Sequence, residues 1–280
     1  MSNETKLLKN SINKDISKKE KINHYLKKSF YIWATFVPFF AIILDLFLSI
    51  IQADPKNGTS TINFDFSLIN QLIYLSTWIS MASFAYGLLN WINLDHKNMP
   101  SWISNKNNLT RVTTLNLIMF LVYNLTSIID LISGSNNIVG FNNWYKILKS
   151  VLEHMISPLM FIMFYFWNSK EIIATKTYVK KYSWYNFLMI AIYSLFISIR
   201  AIFLNTYYPQ IFNPDGQTIG GAFTPFPYGQ ISPIMPDNKP IIITIMGILG
   251  LLISVWLIAI FLNFISNLFI KKIIKNNNIK

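Results

Sequence analysis

The sequence predicts an all-α, polytopic membrane protein built as a bundle of six transmembrane helices. Of its 280 residues, 52% are hydrophobic and only 13% are charged, whereas a soluble domain carries about a quarter charged residues. The apolar residues form six runs, each long enough to cross roughly 30 Å of hydrocarbon, which takes about 20 helical residues. Basic residues are concentrated in alternate connections between these runs. We place the six spans near residues 29–51, 68–92, 112–133, 147–168, 184–206 and 241–269.

The segments around the spans divide the chain further. Residues 1–28 form a basic tail, residues 29–270 form the membrane domain, and residues 271–280 form a second basic tail. The first span is not a typical signal peptide, because its long apolar run follows 28 mostly polar residues. Residues 207–240 form an extracytoplasmic loop rich in proline and aromatic residues. Proline at this density prevents regular helix, and aromatic side chains suit the membrane interface.

The distribution of lysine and arginine predicts the orientation of the bundle. Nineteen of these residues lie in the two tails and in the 93–111 and 169–183 loops. The opposite connections hold only four, namely Lys56, Lys146, Lys149 and Lys239. Basic residues favour the cytoplasmic side, so we expect both termini in the cytoplasm. The net charge of +12 then faces anionic lipid headgroups rather than nucleic acid. The heavy use of Lys, Asn and Ile indicates an AT-rich bacterial genome, and hence a bacterial cell membrane.

Five ionisable residues inside the predicted spans all fall in the outer half of the bilayer. They are Asp45, Asp130, Glu153, His154 and Arg200. An unpaired charge at that depth costs at least about 2.5 kcal/mol, so these residues should share one polar cavity or pair with each other. The arrangement with the lowest free-energy cost pairs Arg200 with one of the three carboxylates. The alternative is a set of interhelical pairs that only holds the bundle together.

His154 lies four residues before a proline near the start of the fourth span. Pro158 has no N–H and leaves the carbonyl of His154 without its helical donor, which predicts a kink that opens a pocket. Glu153 points about 100° away on the same helix, so we do not expect it to orient the imidazole ring. Asp130 is the better candidate for that role. The alternative is a hydrogen-bonded core histidine.

The second span carries hydroxyl groups that allow two interpretations. Ser76, Ser80, Ser83 and Gly87 recur at helical spacing, which is typical of a small-residue stripe that lets another helix approach closely. Thr77 falls on the neighbouring face. Alone, such a threonine is usually hydrogen-bonded to its own helix. Opposite a histidine at similar depth, it becomes a candidate nucleophile activated by a general base.

The sequence predicts neither a metal nor another cofactor. The chain has no cysteine, which removes thiolate ligands. The two other histidines, His24 and His96, fall on the predicted cytoplasmic side, so no pair of axial haem ligands exists. One histidine with scattered carboxylates is also unlike the ligand spacing of zinc sites.

Five short motifs resemble one family of membrane proteins. The segment 152–159 resembles that family's His-x-x-x-Pro motif at the start of the fourth span, and the segment 76–80 is similar to its Phe-Thr-x-x-Ser motif in the second. Tyr123, Arg200 and the segment 225–228 match in order and position. The family is that of the androgen-induced and androgen-dependent TFPI-regulating membrane proteins, and the chain is closer to their bacterial six-span relatives. The resemblance covers roughly residues 30–270.

The resemblance implies an intramembrane hydrolase that cleaves fatty acid esters of hydroxy fatty acids. By motif position the nucleophile is Thr77 and the base is His154. In this chain Ser76 replaces the family's phenylalanine and Met81 replaces its asparagine, so the nucleophile stays open between Thr77 and Ser76. The supporting or substrate-binding residues are Arg200, Asp130, Asp45, Glu153, Ser80, Tyr123 and Tyr228.

The expected partner is a membrane lipid or acyl-ester substrate that enters sideways from the bilayer. Arg200 would hold a carboxylate headgroup or the developing oxyanion. One alternative is an ion-coupled carrier, because membrane-embedded acidic, basic and histidine residues also mark ion paths. Against the carrier, the predicted cytoplasmic halves of the spans contain no ionisable residue. A second alternative is a non-catalytic lipid-binding protein, which the replacement at Met81 favours.

Overall fold

The computed structural model describes residues 3–52, 64–96, 99–132, 143–207 and 242–277. All regular structure in these ranges is helical, with no strand, which confirms the all-α prediction for this part of the chain. Tyr228 and almost all of the 207–240 loop lie outside the described residues, and so does the side chain of Asp130. The helices are α1 (Asn3–Ile51), α2 (Phe64–Leu72), α3 (Leu75–His96), α4 (Lys106–Ile132), α5 (Trp144–Val151), α6 (Ser157–Asn168), α7 (Thr175–Lys181), α8 (Tyr185–Tyr207) and α9 (Ile242–Asn277), and a π-helical turn (Leu152–Ile156) joins α5 to α6.

Five helical stretches of the described chain are long and apolar enough to cross a membrane. They are Glu20–Ile51, Lys106–Ile129, Trp144–Asn168, Thr175–Leu204 and Ile242–Asn276. The remaining predicted span, 68–92, is divided between α2 and α3 by a break at residues 73–74. With 22 residues α3 is long enough, but its many hydroxyl and amide side chains lower its hydropathy. By its own length and composition, α3 is therefore not among the five stretches that could cross a membrane.

Helices α1 and α3 pack against each other in antiparallel orientation. At one end Lys28 donates to Asp95 with an Nζ–Oδ2 distance of 2.8 Å, and at the other end Gln71, in α2 just before α3, donates to Asp45. We call these the Lys28 end and the Asp45 end of the bundle. Between them Gly87 brings the two backbones together, since a Cβ atom there would lie 2.6 Å from a backbone nitrogen of α1. This contact confirms the close approach that the small-residue stripe predicts.

The α5–α6 pair runs antiparallel to α1 and to α4. The ring of Phe30 stacks on that of Phe164 with centroids 3.7 Å apart, near the Lys28 end. At the same level the Thr110 hydroxyl of α4 donates to the Tyr165 hydroxyl oxygen at 3.2 Å. These contacts fix the depth of α6, and through it they position the π-helical turn towards the Asp45 end.

Helix α8 covers the other side of α3. The Tyr193 hydroxyl donates to the carbonyl of Ile73 at 2.6 Å, which satisfies the chain at the break before α3. The Trp78 ring lies against Phe196, with centroids 5.6 Å apart. Apolar side chains of α3, α4, α8 and α9 complete this core. The polar face of α3 is thereby turned towards α1, α4 and the π-helical turn.

Candidate functional site at the Asp45 end

A buried ion pair joins α1 to α5 at the Asp45 end. Lys149 donates to Asp45 with an Nζ–Oδ2 distance of 2.8 Å, and the two side chains are only 12% and 8% exposed. Gln71 connects to both partners: its amide donates to Asp45 at 2.6 Å and its carbonyl oxygen accepts from Lys149 at 2.6 Å. Ser49, one turn from the carboxylate, donates to its other oxygen at 3.1 Å. The network satisfies both charges in a setting that is nearly closed to solvent.

This ion pair narrows the predicted partners of Arg200, which were Asp45, Asp130 and Glu153. The cation beside Asp45 is Lys149, and no ion pair joins Arg200 to Asp45 or Glu153. The third predicted partner, Asp130, has its side chain outside the described residues. Sequence reasoning missed Lys149 because it counted this residue with the connecting loop. The signal was available, since Lys149 precedes Glu153 by four residues and therefore shares its helical face.

The backbone at Leu152–Ile156 is π-helical, where the sequence predicts a proline kink. The N–H of Ser157 donates to the carbonyl of Leu152, five residues earlier. Pro158 follows directly and has no N–H to continue the ladder. The wider turn accommodates that missing donor by shifting the hydrogen-bond register. Single π-helical turns of this kind occur frequently at functional sites, and this one carries Glu153 and His154.

Glu153 points into the bundle and is fully buried, with 0% exposure. The groups that interact with its carboxyl group include the hydroxyls of Ser76 and Ser80 on α3 and the ammonium of Lys149. None of the described residues makes a hydrogen bond of good geometry with either carboxyl oxygen. Glu153 therefore lies in the interior of the bundle, facing the hydroxyl groups of α3.

His154 lies half-buried on the side of the π-helical turn that faces α4. Its ring stacks on Tyr123, with the centroids 3.9 Å apart and the planes 1° from parallel. Its Nδ1 atom is buried and has no hydrogen-bond partner in the described ranges. Tyr123 thus fixes the plane of the imidazole. Asp130, which the sequence favoured for orienting this ring, has its side chain outside the described residues.

Thr77 is 2% exposed, and its hydroxyl has no hydrogen-bond partner among the described residues. It is not bonded back to its own helix, as an ordinary helical threonine would be. It is also not hydrogen-bonded to His154. Ser76, the other candidate nucleophile, is half-buried and faces Glu153. The structure brings Ser76 and Ser80 to the glutamate, and it leaves the Thr77 hydroxyl buried without a partner one turn from Ser80.

Polar side chains continue from this site towards the Lys28 end. Asn116 of α4 donates to the Ser83 hydroxyl at 2.9 Å. Further along, Lys106 is buried and donates to the carbonyl of Glu171 at 2.8 Å and to Asn267 at 3.0 Å. Lys106 lies outside the predicted third span, because α4 begins six residues before the predicted start of that span. Sequence reasoning therefore did not consider this buried lysine.

The next feature of the site is the arrangement of its acidic side chains. Among the described residues, no group of three or more His, Asp and Glu side chains could hold a metal ion. The Lys149 ammonium interacts electrostatically with both acidic groups of the site, Asp45 and Glu153. The arrangement is suited to acid–base and hydrogen-bonding chemistry.

No family model, curated protein or solved structure matches this chain. The resemblance to the androgen-induced protein family therefore stays a prediction that rests on five short motifs.

Proposed function

We propose that this protein is an intramembrane hydrolase of lipid esters in a bacterial cell membrane. The observation that carries the proposal is the Thr77 hydroxyl, which is buried and without a hydrogen-bond partner in the described chain. A buried polar group left unsatisfied costs about 1–3 kcal/mol. Four other side chains on α3 and in the segment 153–157 also carry buried polar atoms without a partner in the described chain: Ser80, Glu153, His154 and Ser157. Such a concentration of unsatisfied groups requires an explanation, and a catalytic role supplies one.

Placement in a membrane explains the outer surface of the bundle. Large apolar side chains on the apolar helices, among them Leu195, Met246 and Phe261, are more than half exposed. Their exposure is expected when lipid, not water, surrounds the bundle. We place six helices across the bilayer, with α3 as the shielded sixth, and both termini in the cytoplasm by the lysine and arginine distribution. The Asp45 end then lies in the outer leaflet.

In the proposed mechanism Thr77 is the nucleophile and His154 is the general base. As the Thr77 oxygen attacks the ester carbonyl carbon, neutral His154 takes the hydroxyl proton. The tetrahedral intermediate collapses, the C–O bond to the alcohol breaks, and the imidazolium returns the proton to the departing oxygen. Water, deprotonated by His154, then attacks the acyl-threonine. The C–O bond to Thr77 breaks, the imidazolium returns the proton to the Thr77 oxygen, and the free acid leaves. Hydrogen bonds between catalytic groups often form only once substrate is bound, so a Thr77 hydroxyl without a hydrogen-bond partner is compatible with these steps.

Neighbouring side chains hold the site in position. The Ser80 hydroxyl, one turn from Thr77, is available to donate to the developing oxyanion. The Tyr123 ring keeps the imidazole plane fixed. The Asp45–Lys149 pair closes the site towards the membrane surface, so the ester enters sideways from the lipid.

Turnover of lipid esters by purified protein tests the proposal. Thr77→Val removes the hydroxyl and keeps the branched shape, and we expect it to lower kcat about a thousandfold or more. His154→Gln should lower kcat about a hundredfold or more, because it removes the general base. Ser76→Ala is the matched control and should retain activity. The proposal fails if the wild type hydrolyses no ester, or if Ser76→Ala abolishes turnover while Thr77→Val does not.

An ion-coupled carrier is a second candidate function. It is favoured by the polar contacts that follow one another along the bundle, from Ser83 and Asn116 through Thr110 and Tyr165 to Lys106. A carrier would drive flux of ions or solutes into sealed vesicles. That flux should survive Thr77→Val, which separates it from hydrolysis.

A further inference from the structure

A polar cavity lies at the Lys28 end of the bundle, on the opposite side of the molecule from Thr77. Its volume is about 300 Å³. Helices α1 and α3 form two of its walls, and the end of α6 and the connection before α4 close it. The lining side chains are Lys27, Tyr31, Asn90, Asn93, Leu94, Ser104 and Asn168.

Two side chains of the lining, Asn90 and Asn168, carry buried amide oxygens that have no hydrogen-bond donor among the described residues. The Nδ2 atom of Asn90 donates to the carbonyls of Tyr86 at 2.8 Å and Ile103 at 3.3 Å, which assigns the amide orientation. Its Oδ1 atom is buried and has no partner among the described groups, on a residue that is only 2% exposed. The Oδ1 atom of Asn168 is also buried and has no partner among the described groups. Helix α6 also ends at Asn168, so the negative end of its dipole lies here. The cavity therefore favours a ligand that brings N–H donors and positive charge to this wall.

A lysine provides a positive charge at another part of the wall. Lys27 makes no ion pair with any residue that the structure describes, and Lys170 adds a second positive charge nearby. The next residue, Lys28, is different because Asp95 neutralises it at 2.8 Å. The Lys27 ammonium is thus left to attract an anion, for which phosphate oxygens are strong acceptors.

We propose that this cavity binds the phosphoethanolamine headgroup of a phospholipid. The phosphate accepts from Lys27, and the ammonium group donates to the Oδ1 atoms of Asn90 and Asn168. A phosphocholine headgroup has the same charge but no N–H donor, so it leaves both acceptors unsatisfied. The site lies at the end that the proposed orientation places in the cytoplasmic leaflet, and the inference is independent of ester hydrolysis.

Native mass spectrometry of the full chain in detergent micelles tests this inference. Equal amounts of phosphatidylethanolamine and phosphatidylcholine with the same acyl chains are added, and retained lipid is counted. We expect phosphatidylethanolamine to be retained about tenfold more. Lys27→Gln should lower that retention at least about tenfold, the effect of losing one charge-assisted hydrogen bond. Lys271→Gln, an exposed lysine on α9, is the matched control and should change nothing.

Other arms of the experiment identify the source of the headgroup and protect the test against misfolding. Free phosphoethanolamine at the same concentration should bind at least about tenfold more weakly than the lipid, because it lacks acyl chains. Equal binding would overturn the assignment to a lipid. If Lys27→Gln does not fold, Asn168→Leu takes its place and should abolish the preference for ethanolamine over choline. Equal retention of the two lipids by the wild type, or an unchanged preference in the folded variants, overturns the proposal. Ester turnover by Lys27→Gln should match the wild type, so failure here leaves the hydrolase proposal intact.

Discussion

Replacing Lys149 by methionine should destabilise the protein far more than its position near a helix end suggests. The ammonium donates to Asp45 at 2.8 Å and to Gln71 at 2.6 Å, and the two charged side chains are 12% and 8% exposed. Lys149→Met leaves the Asp45 carboxylate buried with only Gln71 and Ser49 as donors. Removing one partner of a buried ion pair costs about 3–5 kcal/mol, because the other charge stays uncompensated. We therefore expect a loss of about that size in the free energy of unfolding.

The double variant Asp45→Asn with Lys149→Met separates this cause from lost packing. With both charges gone, stability should return to within about 1–2 kcal/mol of the wild type, since no uncompensated charge then stays buried. Unfolding by sodium dodecyl sulfate in mixed micelles gives the free energies, with Lys271→Met as the exposed control. A cost below about 1 kcal/mol for Lys149→Met would refute the reasoning, because that is the range of a solvent-exposed pair. A double variant no more stable than Lys149→Met would refute it as well.

Three further predictions concern other parts of the bundle. Gly87→Ala places a Cβ atom 2.6 Å from the α1 backbone and should cost about 1–3 kcal/mol in unfolding free energy, whereas Gly250→Ala, with nothing within 4 Å, should cost nothing. Hydrogen bonding by the Lys28 ammonium holds the pKa of Asp95 below its ordinary value of 3.8. The stabilisation from this pair is therefore present above that value and lost as the pH falls through the lowered pKa, and Lys28→Gln should raise the pKa of Asp95 in an NMR titration. Tyr123→Leu removes the ring that stacks on the imidazole, and such a ring contact is worth about 0.5–1.5 kcal/mol. It should therefore lower ester turnover more than Tyr123→Phe, which keeps the ring.

The helical fold could be predicted from the sequence because long apolar runs leave few other structures. The same reasoning placed Asp45, Glu153 and His154 in the same half of the predicted bundle, since depth follows from the 1.5 Å rise per helical residue. The close approach at Gly87 was also predictable, because small residues at helical spacing have one main use in a bundle. These features depend on local spacing, which the sequence records directly.

The partners within the site depend on packing, which spacing does not determine. A lysine near a helix end usually extends to the interface, so nothing local indicated that Lys149 turns inwards to Asp45. The π-helical turn places Glu153 inside the bundle and His154 against Tyr123, whereas the sequence predicted a proline kink with both residues at one polar cavity. The break before α3 also escaped prediction, because the apolar run continues through it.

The identity of the residue that carries the acyl group tests the hydrolase account most directly. Purified protein is incubated with a slowly deacylating activated ester, and the modified peptide is located by tandem mass spectrometry. The account predicts an acyl group on the Thr77 oxygen, absent from Thr77→Val and strongly reduced in His154→Gln. An acyl group on Ser76 in its place, or no covalent adduct with any ester that the protein hydrolyses, would contradict it.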